Sequence, residues 1–496
     1  MTSLIGDPPE KAMNIRGKFY WADHLLDLDF ARFHSLILGV TGSGKGILQR
    51  LYMRSLVPQI LRKGSNMRAF LFDPKREQIP LLVAMGVPLD LIHILHPLDA
   101  RCCALDLAKD FDTVAASREL PKLLIPVKGN EAQPFFPQSA RLLVNAVLQA
   151  FLKHSRGKWT LRDVILATWY RPRLEAIIRK VPNWPRFQSF FADERVFQNI
   201  KATLDVTISE FEVIAALWHN RPMLSLREWV RQSGSFMIMG SDPTLHSVLD
   251  PLNQLTFNRL AQLILSLDEI ATPANRNPNI VNPYTFLALD ELPSAGNLEM
   301  LSRLLKEGRS KGACLLIAFQ MIYSLRELYG DNIAYEIISQ CSNRAILRLA
   351  DPDTAELAAR WIGEEEYEEK TVGETLMPGG HEPSTSNVNY GVVRLPRILP
   401  CQLWENLPPV SEINGVRGFF FSPGLADQRT FEATIDLPNL EAKNLLVRPD
   451  VDARSFVPRP AADEILQDWT EDDLDRLGLI NPLSAEESIR ELLAPK

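Results

Sequence analysis

A lysine set among glycines, Gly39-Val40-Thr41-Gly42-Ser43-Gly44-Lys45-Gly46, directly follows the apolar run Leu36-Ile37-Leu38. Glycines at this density let consecutive backbone N–H groups turn inward around an anion, and the lysine reaches terminal phosphates as a mobile point charge. The stretch after it, Ile47 to Leu56, suits a helix, whose N-terminal dipole would favour the same anion. Gly39, Thr41, Gly42, Ser43, Gly44, Lys45 and Gly46 are therefore candidate nucleotide-binding residues. A Ser or Thr hydroxyl ordinarily follows the lysine to ligate magnesium, but here the position is Gly46.

A second segment supplies carboxylates. Thr285-Phe286-Leu287-Ala288-Leu289-Asp290-Glu291 ends an apolar run in two acids, at the strand edge where open α/β sheets bind ligands. Asp290 is the candidate for the magnesium shell, and Glu291 for orienting and activating an attacking water. Eighteen residues beyond Glu291, the turn Gly308-Arg309-Ser310-Lys311-Gly312 places Arg309 where a guanidinium can cross to a neighbouring subunit's nucleotide. An ordinary surface arginine fits that position equally well. The apolar run Cys314 to Phe319 leads to Gln320, a polar strand-end residue able to sense a γ-phosphate by hydrogen bonding.

These groups need a sheet to hold them. His34 to Leu38, Met67 to Phe72, Phe236 to Met239, Tyr284 to Leu289, Cys314 to Phe319 and Ala345 to Leu349 read as short buried strands separated by helical stretches. That alternation predicts an α/β fold, a mostly parallel central sheet with helices on both faces. Between about Leu107 and Gln232 strand candidates are few, which predicts an inserted all-α domain. The expected organisation is a first part of the nucleotide-binding domain at residues 1–106, the insert at 107–232, the second part at 233–440, and a Pro-rich, then acidic, extension at 441–496. Thr371 to Tyr390, rich in polar residues and breakers, is expected to be a loop.

With 496 residues the chain exceeds one hydrophobic core, and its 46% hydrophobic and 23% charged residues are ordinary for a globular protein. No apolar stretch is long enough to span a bilayer and the start lacks a signal-peptide core, so a cytoplasmic protein is expected. Its five cysteines show neither zinc spacing nor a disulfide framework. The net charge of −7 is concentrated in residues 461–496, which hold ten acids and three bases. Leu474, Leu477 and Leu479 there could form a small docking helix for a basic partner. By contrast, residues 152–186 hold nine bases and two acids among Trp159, Trp169, Tyr170 and Trp184, a composition that suits either nucleic-acid contact or a solvated face with core tryptophans.

The series Gly39 to Gly46, Asp73-Pro-Lys-Arg-Glu77, Leu289-Asp-Glu-Leu-Pro-Ser294, Glu307-Gly-Arg-Ser-Lys-Gly312, Gln320 and Leu347-Arg-Leu-Ala-Asp-Pro-Asp-Thr-Ala-Glu356 resembles the coupling-protein ATPases of type IV secretion and bacterial conjugation. The resemblance covers about residues 33 to 435. It implies a RecA-like P-loop NTPase with an all-helical insert, using ATP and Mg2+ and pumping DNA as a homo-hexamer. Residue by residue it implies that Lys45 binds phosphate, Asp290 serves magnesium, Glu291 is the catalytic carboxylate, Arg309 is the trans-acting finger and Gln320 the sensor. Glycine after the loop lysine also occurs in part of that family. The implied partners are DNA, a relaxase or relaxosome, and secretion-channel components. Members usually carry transmembrane helices before the ATPase, whereas only 38 residues precede Gly39. The expectation is a separate membrane protein that anchors the chain peripherally at the inner membrane, or a soluble DNA translocase serving segregation, integration or defence. A nucleotide-gated receptor with little turnover is the remaining alternative.

Overall fold

A computed structural model describes residues 17–127, 134–155, 157–270, 283–375, 385–425 and 430–479. Packing divides the chain into two compact units. The first comprises Met1–Leu56, Glu291–Pro293 and Leu315–Val447, and the second Val57–Asp290, Ser294–Cys314 and Arg448–Lys496.

In the first unit the strand Ser35–Leu38 is buried along its whole length, paired in parallel with Leu316–Phe319 on one side and Asn343–Ile346 on the other. A central strand covered on both faces has no solvent side to mark with polar residues, which is why it reads as an unbroken apolar run. Two antiparallel strands, Val416–Phe421 and Phe431–Ile435, extend this layer beyond Asn343–Ile346. The helix Lys45–Ile60 begins immediately after the glycine loop.

In the second unit Met67–Phe72 lies between Phe236–Met239 and Tyr284–Leu289, all parallel, and Ile92–Ile94 adds to the far side of Phe236–Met239. The mostly parallel character expected from the sequence therefore holds. Most described residues of 107–232 are helical, with Phe135–His154 the longest helix of the span and Glu194–Ile208 packed on it. The short strand Met223–Leu224, inside this span, pairs in parallel with Ala104–Leu105. Among the described residues no helix is long and apolar enough to cross a membrane.

Three expectations change. The flanks of the presumed loop at Thr371 to Tyr390 belong to a hairpin of two strands, Glu364–Thr375 and Thr385–Pro396, while residues 376–384 lie outside the described residues. Cross-strand pairing such as Glu366 with Arg394, joined by a hydrogen bond of 2.8 Å, supports strands of low intrinsic β propensity. The C-terminal apolar face is used within the chain: Leu474, Leu477 and Leu479, in and just after the helix Glu471–Arg476, are fully buried. Residues 480–496 lie outside the described residues. The basic segment also turns inward in part, because Trp159, Arg162 and Arg173 are buried. Burying a guanidinium requires a partner, and Asp468 receives both Arg173 nitrogens, at 2.8 and 3.0 Å, while Asp473 receives Arg162 at 3.1 Å. Acids of the C-terminal extension thus answer bases of the segment whose composition suited either nucleic-acid contact or a solvated face.

Candidate functional site

The end of the buried strand Ser35–Leu38 releases the loop Gly39–Gly44 into the helix that starts at Lys45. The loop is tied down by its neighbours: Gly39 N–H donates to Phe319 O at 3.3 Å and Val40 N–H to Arg348 O at 3.0 Å, while Gly42 O accepts from Val410 N–H at 3.1 Å. Gly44 has φ of 103°, and a Cβ there would lie 2.6 Å from Val416, so backbone freedom and close packing both demand glycine. Lys45 is buried, with Nζ donating to Gly39 O at 2.5 Å. The buried Ser43 Oγ has no hydrogen-bond partner among the described residues. An orphaned hydroxyl beside a buried ammonium in a glycine loop fits a phosphate-bearing ligand. At Gly46 a Cβ would meet nothing within 4 Å, so the space for a magnesium-binding hydroxyl is open although the hydroxyl is missing.

Three of the sequence-predicted residues join in one chain of hydrogen bonds. Gln320 Nε2 donates to Glu291 Oε2 at 2.8 Å, and Gln320 Oε1 accepts from Thr41 Oγ1 at 3.2 Å. The carboxylate beyond the Tyr284–Leu289 strand is thereby linked through the end of the Ala313–Phe319 strand to the glycine loop. Glu291 itself has φ of 59°, a left-handed conformation that costs a non-glycine residue roughly 1–2 kcal/mol. Such strain persists where the surroundings over-determine the geometry, and the bond from Gln320 is one such constraint.

Asp290 sits in the second unit, where the register Phe72 with Leu289 puts it beside Asp73, and Lys75 Nζ lies 3.6 Å from its Oδ2. Asp73 is buried and caps the helix Gln78–Ala84, accepting from Gln78 N–H at 2.8 Å and Glu77 N–H at 3.1 Å. Burial pushes its carboxyl above the usual range, those two N–H groups oppose the shift, and the charge of Asp290 adds to it. The sequence marks Asp73 as the end of the apolar run Met67 to Phe72 and sets Asp73 and Lys75 in one motif, without a role for either. The signal available was Asp73 at the end of an apolar strand, the same pattern that marked Asp290. Arg309 is exposed on the turn Gly308–Lys311. That turn closes at Gly312, with φ of 80° and so little room that a Cβ would lie 1.9 Å from Pro283 O.

A mostly parallel α/β layer with a glycine-lysine loop leaving a buried strand is the RecA-like P-loop fold. A model of the type IV secretion-system coupling protein DNA-binding domain matches residues 26–402, and the chain belongs to that family. The coupling protein TraD of Escherichia coli strain K12 is 26% identical over 341 residues, 66% of this chain and 43% of TraD. The chain thus spans less than half of TraD's length. Among solved structures, the plasmid coupling protein TrwB in complex with a non-hydrolysable ATP analogue, ADPNP, has a TM-score of 0.64 at 18% identity, covering 90% of this chain and 92% of that one. TrwB in complex with ADP and Mg2+ gives 0.61 at 18% identity, covering 89% and 91%. At this identity the likeness is one of fold.

Proposed function

We propose that the chain is an ATP-hydrolysing coupling protein that moves DNA, or DNA carrying a relaxase, toward a type IV secretion channel. The observation that carries the proposal is the hydrogen-bonded chain Glu291–Gln320–Thr41, which ties a candidate catalytic carboxylate to the nucleotide loop. ATP with Mg2+ would supply the transferable phosphoryl group and the charge that neutralises it. Lys45 and the N–H groups from Gly39 to Gly46 would hold the phosphates, and Asp290 with water would hold the metal. Glu291 orients the attacking water and accepts its proton. Gln320, bonded to both Glu291 and Thr41, is the group that changes partner between nucleotide states.

Arg309, exposed on its turn, acts in trans in a homo-hexamer, where its guanidinium meets charge developing in a neighbour's site. The helical span 107–232 is an inserted domain that contacts cargo. TraD similarity and the family match support the conjugative setting. The test is steady-state ATP turnover with and without single-stranded DNA. Wild-type turnover should rise with DNA, and Lys45→Ala and Glu291→Gln should each abolish the stimulated rate. Unchanged turnover in both variants would sink the assignment.

A further inference from the structure

In the first unit a cavity of about 280 Å³ lies against one face of the antiparallel pair Asn343–Ile346 and Val416–Phe421. The register sets Arg344 opposite Phe421, and Phe419, two residues back, shares that face and lines the cavity with them. Trp361, at the end of the helix Pro352–Ile362, forms another wall, with Arg397 and Thr430 completing the lining used here. Arg344, Trp361, Phe419 and Phe421 are each half-buried, so each keeps surface that an occupant can touch.

Arg344 is the unanswered charge at this cavity. Its Nε donates to Cys341 O at 2.9 Å and its Cζ stands 5.4 Å from the centre of the Trp361 ring, while its two terminal nitrogens reach solvent and meet no acceptor among the described residues. Burial lowers its pKa, and the group opposing that shift, the Cys341 thiol, is itself pushed up to about 12 by burial and stays neutral near pH 7. Other buried arginines are met: Arg173 by Asp468, and Arg68, which has no carboxylate, by Gln232 O, Thr285 and Asn66. Among the described residues no carboxylate lines the cavity, and Glu365, outside it, is taken by Arg397 Nε at 2.9 Å. Two guanidiniums therefore stand against one acid, beside aromatic walls and the Thr430 hydroxyl.

We propose that this cavity binds a small aromatic acid, a carboxylate or phosphate monoester on a single ring, with the acid group on the Arg344 fork and the ring against Trp361, Phe419 and Phe421. A guanidinium offers such a head two parallel N–H donors, and one resting on an indole face is already held in place to do so. The volume, just under the roughly 300–1,000 Å³ usual for ligand pockets, suits one ring with its head. A polyanionic strand fits less well, because five exposed glutamates, Glu364, Glu365, Glu366, Glu368 and Glu369, follow closely on Trp361, and Arg397 and Arg394 meet only two of them.

The test titrates the full chain by calorimetry with benzoate, phenyl phosphate and inorganic phosphate, keeping a non-hydrolysable ATP analogue and Mg2+ present to occupy the glycine loop. At least one aromatic probe should bind saturably, one per chain, with Kd below about 1 mM. Arg344→Met should weaken it about tenfold or more by removing bonds to a charged head, and should not lower the thermal midpoint of the chain without probe, because the guanidinium removed has no acid partner. Arg397→Gln, at an exposed position, should weaken it about threefold and tests the idea even if Arg344→Met misfolds. The idea is overturned if neither aromatic probe binds saturably, if neither variant weakens binding, if inorganic phosphate binds as tightly as phenyl phosphate, or if an oligothymidylate displaces the bound probe.

Discussion

Replacing Gln320 by Ala removes the amide that donates to Glu291 Oε2 at 2.8 Å and accepts from Thr41 at 3.2 Å. A hydrogen bond to a charged group contributes about 1.5–3 kcal/mol, and each 1.4 kcal/mol is tenfold in rate, so full loss of this bond in the transition state predicts a kcat about 10- to 100-fold lower. Nucleotide binding rests on Lys45 and the glycine loop, so KM should move by less than about threefold. Glu291→Gln alone should cost about 10²- to 10⁴-fold, the usual contribution of a positioned general base. Gln320 acts through Glu291 in this reasoning, so the double variant should be no more than about threefold slower than Glu291→Gln. Phosphate release measured at saturating ATP with DNA, for all four proteins, decides it. A double variant slowed by the product of the two single effects would show that Gln320 acts independently, and a normal rate for Gln320→Ala would remove the bond from the mechanism.

Gly46→Ser places a hydroxyl where nothing lies within 4 Å, so thermal stability should hold while the Mg2+ concentration for half-maximal turnover falls about three- to tenfold. An unchanged magnesium requirement would mean that the metal is not bound beside this position. Asp468→Ala removes the carboxylate that receives both terminal nitrogens of the fully buried Arg173, and should cost about 3 kcal/mol in urea unfolding. Arg173→Met with Asp468→Leu should recover most of that, and a single-variant loss under about 1 kcal/mol would count against the pairing. At Asp473 burial would raise the carboxyl, but the Thr470 N–H, Arg476 and Arg162 overcome it and hold it at about 2. Its folded value lies below its unfolded one, so the stabilisation is present above pH about 4 and lost as pH falls toward 2. After solvent screening it is about 1 kcal/mol, and Asp473→Asn should flatten the acid limb of an unfolding profile by that amount.

Much of the candidate site was legible because its residues sit at strand ends. A buried parallel strand is a short apolar run, and the first polar residue after it lands on the sheet's ligand edge by chain geometry alone. Asp290, Glu291 and Gln320 were found by that rule, and Lys45 by the glycines around it. The rule is local, so it found Asp73 as a motif letter without seeing that the register Phe72 with Leu289 sets it beside Asp290. Nor could it reveal that Gly44 is pressed against Val416, or that Val410 holds Gly42, since those contacts join residues more than 360 positions apart. The hairpin Glu364–Thr375 and Thr385–Pro396 escaped because its glutamates oppose strand propensity one residue at a time, while cross-strand partners act in pairs.

The sequence by itself determined the chemistry available: a glycine loop with a lysine, an acid pair, a glutamine, and the apolar spacing that makes a parallel layer, because each depends on residues within a few positions of one another. Tertiary structure alone decided which of these groups touch. It joined Glu291 through Gln320 to Thr41, gave Asp290 the neighbours Asp73 and Lys75, and turned Arg162 and Arg173 away from any cargo onto Asp473 and Asp468. The physical reason is burial. A charge in water needs no particular partner and reveals none in its sequence, whereas a charge taken out of water must be met, and the group that meets it can come from anywhere along the chain.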